Sequence, residues 1–176
     1  MDTLFDVSGK VAFVTGGSRG IGFMIAQGYC ERGVKVYISS RKADVCASAA
    51  EELNKVGQCI ALPADLSRVE EIERVVLELG KLESKVDILV NNAGATWGGS
   101  IDEFPEVGWD KVMDLNVKGV FFLTQKLLPL LLQSGTAEDP ARVINIGSID
   151  GMHTSKFTNF SYSPSKAAVH HLTRML

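Results

Sequence analysis

The chain has 176 residues, 45% hydrophobic and 22% charged, a mixture that supports one folded domain at about 150 residues per domain and excludes disordered and fibrous classes. Eighteen Lys and Arg against 21 Asp and Glu leave a net charge of -3, which argues against binding to a nucleic-acid backbone. No apolar run approaches the about 20 residues that cross a bilayer, and the opening MDTLFDVSGK lacks the basic start and apolar stretch of a secretory signal, so a cytoplasmic protein without membrane contact is expected.

In chain order, a strand is predicted over 11–15, then a glycine-rich turn and a helix over 20–32 closed by Gly33. A strand over 34–39, a helix over 42–56, a strand over 58–62, a helix over 68–84 and a strand over 86–91 follow. Pro105 introduces a helix over 106–133, the polar segment 134–141 forms a loop, a strand spans 142–147, and a last helix opens near Ser161. Short β-branched strands alternating with longer helices place the chain in the α/β class around a parallel sheet, with nothing to divide it.

Two side features stay open at this level. The helix over 106–133 has apolar residues at Val112, Leu115, Val120, Leu123, Leu127, Leu128 and Leu131, more than one stripe needs. They fit either deep burial or a subunit contact. Cys30, Cys46 and Cys59 are odd in number and widely spaced, which fits reduced packing residues rather than a disulfide framework or a metal site.

The chemistry concentrates in three segments. VAFVTGGSRGIG runs from the first strand through the turn into a helix start. Gly16, Gly20 and Gly22 allow a tight bend and a close backbone approach, and the free N–H groups of the helix start favour a phosphate. Asn91-Asn92-Ala93-Gly94 follows the fourth strand, beside the crevice where ligands bind in such sheets. Tyr162 and Lys166 stand four apart at the start of the last helix and share a face. An ammonium beside a phenol favours the phenolate and suits the pair to proton transfer, although a surface Tyr-Lys pair is the plain alternative.

Together with Thr15, Asn116 and Ser148, these motifs resemble the short-chain dehydrogenase/reductase family over essentially the whole chain. Within it the sequence is similar to the 3-oxoacyl-acyl-carrier-protein reductase branch, including reductases linked to rhamnolipid synthesis. The resemblance implies a Rossmann-type doubly wound parallel sheet in the order 3-2-1-4-5. It implies Tyr162 as general acid toward a carbonyl oxygen that Ser148 polarises. Lys166 would tune Tyr162 and hold the nicotinamide ribose, and Asn116 would sit at an irregularity of the fourth helix on a water path to Lys166. The cofactor would lie on Gly16, Ser18, Arg19, Gly20, Ile21, Gly22, Ser40, Arg41, Asp65, Leu66, Asn92, Ala93 and Gly94, with Asp65 at the adenine. A helix-cap role for Asp65 stays open.

An NAD site carries an acidic residue after the second strand, whereas Ser40, Arg41 and Lys42 stand there and suit a 2′-phosphate, so NADPH is expected over NAD. Arg41 and Lys42 as a solvated pair is the alternative. Met152, His153, Phe157 and Trp97 are candidate substrate contacts, with packing the plainer role for Trp97. His170 and His171 point to different sides of a helix, and no metal is expected.

The expected function is ketone reduction, on a 3-oxoacyl thioester or a small cyclic or aromatic ketone, in a homodimer or homotetramer joined through the fourth and last helices. The chain stops inside its last helix, so the end looks cut and the strand over 142–147 is expected as a bare edge. A truncated dinucleotide-binding or interaction protein with little turnover is the second reading.

Overall fold

The sheet is built from the middle outward. β1 (Val11–Thr15) is buried at every position and pairs in parallel with β2 (Lys35–Ser39) on one side and β4 (Ile88–Asn91) on the other. β3 (Gln58–Ala61) adds beyond β2, and β5 (Arg142–Asn145) beyond β4, giving the order β3-β2-β1-β4-β5. This is the expected order. The computed structural model describes residues 5–154 and 156–176, so the first four residues of the N-terminal stretch read above lie outside it.

Alternation along β1 sends side chains to both faces. Phe13 joins Leu89, with Ile72, Val75 and Leu79 of α3 (Val69–Leu82) and Leu123, Leu127 and Leu131 of α5 (Gly119–Ser134). Ala12 and Val14 face the other layer, with Ala26 and Cys30 of α1 (Gly20–Cys30) and Cys46, Ala49 and Leu53 of α2 (Ala43–Leu53). All three cysteines are buried and free, as packing residues.

Element ends shift for local reasons. α1 stops at Cys30 because the Arg32 and Gly33 N–H groups turn back to Tyr29 and Cys30, and Gly33 takes φ 75°. β4 begins at Ile88 because the Val86 N–H is given to the Leu130 carbonyl instead of a strand.

The fourth predicted helix is one helical run in three parts: α4 (Glu106–Met113), a π turn (Asp114–Lys118) and α5. By length and composition the whole run, Glu106–Ser134, could cross a bilayer, which corrects the expectation that no stretch approaches that size. Leu123, Leu127 and Leu131 nonetheless pack on the sheet, as in a core helix. Its outer side leaves Phe121, Leu128 and Leu132 exposed, so the apolar excess is only partly absorbed by burial. β5 has β4 on one side only, and Val143 and Ile144 are more than a third exposed. α6 (Tyr162–Met175) closes the chain.

Candidate functional site

The register brings Thr15, Ser39, Asn91 and Asn145 to one end of the sheet, and the site is built there, where the strand order reverses between β1 and β4. Gly16 takes φ 66° and its N–H donates to the Ser39 carbonyl at 2.7 Å. Gly20 takes φ 56° as α1 opens. A Cβ on Gly22 would collide with the Gly16 carbonyl oxygen, so the helix start can press against the turn only because that residue has no side chain. Arg19, at the helix entrance, makes no side-chain cap bond.

Thr15 braces this turn against the segment after β4. Its Oγ1 donates to the Val90 carbonyl at 3.2 Å and accepts from the Asn92 and Ala93 N–H groups, both at 2.9 Å. The Asn92 amide donates to the Thr15 and Gly16 carbonyls at 2.9 and 3.4 Å. The Asn92 side chain therefore holds the two glycine-bearing loops together.

A cavity of about 490 Å³ opens over these loops. Gly16, Ser18, Arg19 and Gly20 form one wall, Asn92, Ala93 and Gly94 another, and Ser40, Arg41 and Lys42 line the end beyond β2 beside Leu66. Ser39 also borders it, and its buried hydroxyl has no hydrogen-bond partner among the described residues. Among the described residues, no carboxylate lines this cavity. Ile21 and Gly22 are not among its lining residues, and Ile21 is 59% exposed. Asp65 lines an adjoining cavity of about 520 Å³, where Arg41 also reaches. Its Oδ1 accepts from the Ser67 N–H at 3.2 Å and hydroxyl at 2.7 Å, a local turn bond.

The proton-transfer candidates gather around α6. Lys166 is 6% exposed, its Nζ lies 5.8 Å from the centre of the Tyr162 ring, and it donates to the Ile146 carbonyl at 2.6 Å. Burial pushes the Lys166 ammonium below the usual lysine range. Ser148 caps a short 3-10 turn (Ile149–Gly151), its Oγ accepting from the Asp150 N–H at 3.2 Å.

Asn116 stands in the π turn, a bulge type frequent at functional positions. Its Oδ1 accepts from the Ala95 N–H at 2.8 Å, and its Nδ2 donates to the Ala95 carbonyl at 3.0 Å and to Ser165 Oγ at 2.9 Å. Its side chain is thus spent as a clamp. Ser165 passes the connection on, donating to the Tyr162 carbonyl at 2.6 Å. Sequence reasoning did not single out Ser165 or the brace at Thr15. The signal for Ser165 was its place three residues after Tyr162, where a helical hydroxyl can bond back to a carbonyl.

Trp97 lies on Gly108, where a Cβ would stand 2.7 Å from the indole, and Lys111 Nζ sits 5.0 Å from its ring centre, which is packing. Met152 is 68% exposed, and His153 is also exposed.

Residues 10–176 match the model of the short chain dehydrogenase family. The chain belongs to that family. Among family members, a rhamnolipids biosynthesis 3-oxoacyl-acyl-carrier-protein reductase of Pseudomonas aeruginosa is 52% identical over 176 residues, covering 100% of this chain and 69% of the relative. A solved Pseudomonas aeruginosa RhlG/NADP active-site complex superposes with a TM-score of 0.96 at 51% identity, covering 99% of this chain and 68% of that one. A short-chain type dehydrogenase/reductase from Mycobacterium marinum superposes with a TM-score of 0.90 at 30% identity, covering 98% and 68%. As a short-chain dehydrogenase the chain is an oxidoreductase with a Rossmann-type fold.

Proposed function

We propose that this short-chain dehydrogenase reduces a ketone, such as a 3-oxoacyl thioester, to a secondary alcohol with NADPH, and that its 176 residues form one dinucleotide-binding domain. The observation that carries the reading is the buried Lys166 ammonium standing 5.8 Å from the Tyr162 ring centre, on a helix tied to the loops after β4 and β5.

The residues suit a dinucleotide. The glycine cradle has no room for a Cβ at Gly22, which keeps its backbone open to a close approach by phosphate. Gly16, Ser18, Arg19, Gly20, Ile21 and Gly22 hold the pyrophosphate, Asp65 and Leu66 the adenine end, and Asn92, Ala93 and Gly94 the adjoining ribose. Arg41, with Ser40 and Arg19, receives the 2′-phosphate, since among the described residues no carboxylate lines the cavity to repel it. The named complex of RhlG holds NADP, which supports the same choice. When bound, the cofactor supplies the hydride for the carbonyl carbon.

The protein handles the proton. Ser148 donates a hydrogen bond to the carbonyl oxygen and Tyr162 transfers its hydroxyl proton to it. Lys166 keeps a positive charge beside the phenolate that is left, and Asn116 holds the π turn on the water path to Lys166. The 3-oxoacyl assignment rests on the Pseudomonas aeruginosa reductase, and cyclic and aromatic ketones are the competing class. Exposed Phe121, Leu128 and Leu132 on α5 support a homodimer or homotetramer joined through α5 and α6, a state that sedimentation reports; the cytoplasm is the compartment proposed for it.

The test is oxidation of NADPH in the presence of 3-oxoacyl thioesters and of cyclic ketones. Tyr162→Phe is expected to lower kcat by about 10²–10⁴-fold while NADPH affinity is kept. Full activity in that variant overturns the assignment. NADPH binding with no turnover on either substrate class favours the second reading, a dinucleotide-binding protein.

A further inference from the structure

Tyr162, Lys166 and His170 follow one another at intervals of four along α6 and so share one face. That face meets the chain as it leaves β5. Lys166 takes the Ile146 carbonyl at 2.6 Å, and two residues on, the Ser148 N–H donates to His170 Nε2 at 3.4 Å. The ring also has space made for it. A Cβ on Gly147 would collide with Nε2, and one on Gly151 would stand 2.9 Å from Cε1. Neither glycine has a positive φ; at Gly147 the imidazole alone stands where a Cβ would go, while at Gly151 the Lys166 and Ala167 backbone of α6 lies as close, at 2.7 and 2.8 Å.

We propose that His170 is a positioning residue that sets the backbone, and through it the hydroxyl, of Ser148; the inference rests on the role given to Ser148 above. The 3-10 turn fixes the other polar atoms of Ser148: its Oγ accepts from the Asp150 N–H at 3.2 Å and its carbonyl from the Gly151 N–H at 3.0 Å. The amide N–H is the remaining handle, and His170 takes it from outside the turn. To accept, Nε2 must carry no proton, so the ring is in its Nδ1–H form. His171, next along the helix, points elsewhere and lies 3.3 Å from Arg174 Nη2.

Four variants test this: Ser148→Ala, His170→Leu, His170→Asn and the double variant Ser148→Ala with His170→Leu, assayed by NADPH oxidation with a 3-oxoacyl thioester and by NADPH titration. His170→Leu is expected to lower kcat by about 10- to 100-fold with NADPH affinity unchanged. His170→Asn, which still offers an acceptor, restores most of the rate. In the Ser148→Ala background His170→Leu costs nothing further. Additive losses in the double variant, or a full rate in His170→Leu, overturn the proposal. A Ser148→Ala enzyme with undiminished kcat overturns the role of Ser148 instead, which separates the two failures. Nitrogen NMR of the unmodified chain needs no variant to fold: Nε2 of His170 is expected bare and hydrogen-bonded to the Ser148 amide, and a proton found on Nε2 sinks the proposal.

Discussion

Asn116 donates its side-chain N–H to the Ser165 hydroxyl at 2.9 Å, joining residues 49 positions apart. The same amide grips the Ala95 backbone on its other side. The π turn, the segment after β4 and the first turn of α6 are therefore held by a single buried group, 1% exposed.

Asn116→Ala removes three hydrogen bonds, one buried and two part-buried, and leaves the Ala95 N–H without its acceptor. At about 1 kcal/mol per bond, plus the desolvation of an orphaned donor, a loss of about 2–5 kcal/mol is expected in urea unfolding. A loss under 1 kcal/mol would show that the clamp relaxes without cost.

Two glycines of the cradle should respond differently to an added methyl group. Gly20→Ala meets open space and suffers only from φ 56°, about 1–2 kcal/mol. Gly22→Ala drives a Cβ into the Gly16 carbonyl, so the turn must shift. Thermal unfolding with and without NADPH should show Gly22→Ala losing most of the stabilisation by the cofactor while Gly20→Ala keeps the larger part.

Arg41 lines both cavities at the end of β2. Arg41→Ala is expected to weaken NADPH by about 10- to 100-fold, the worth of a charge-assisted pair, with NADH binding unchanged. Equal effects on both cofactors would place the 2′-phosphate elsewhere.

Lys166 is buried at the expense of its charge, and the sign of its pH effect follows. Its folded pKa lies below the ordinary lysine value, so the unfolded chain holds the proton more tightly. The penalty is complete below the folded pKa and fades as pH rises from there toward the unfolded value. Lys166→Met should therefore gain stability relative to the parent near neutrality and lose that advantage by about pH 10, while its kcat collapses. Urea midpoints at the two pH values measure this.

The first strand, its glycine turn and helix start, the Asn91–Gly94 segment and the Tyr162–Lys166 spacing were legible because each is a local pattern whose period and residue types carry the meaning. Strand and helix ends were less so. Val86, for instance, looks like strand but gives its N–H to Leu130 of α5, a partner far along the chain. The unbroken apolar spacing over 106–133 did not by itself show three helical parts, because one extra residue in a π turn hardly disturbs a pattern; the irregularity at Asn116 was implied only by the family resemblance.

Sequence alone determined the α/β order, the cradle and which residue types face one another on α6, since these depend on backbone freedom, periodicity and side-chain chemistry within a few residues. Only tertiary structure decided that Asn116 spends its side chain on Ala95 and Ser165, that Asp65 bonds back to Ser67 beside a second cavity, and that His170 reaches the Ser148 amide. Hydrogen bonds of this kind select a partner by distances of a few ångströms between elements, and those distances exist only after the sheet has assembled and its helices have packed.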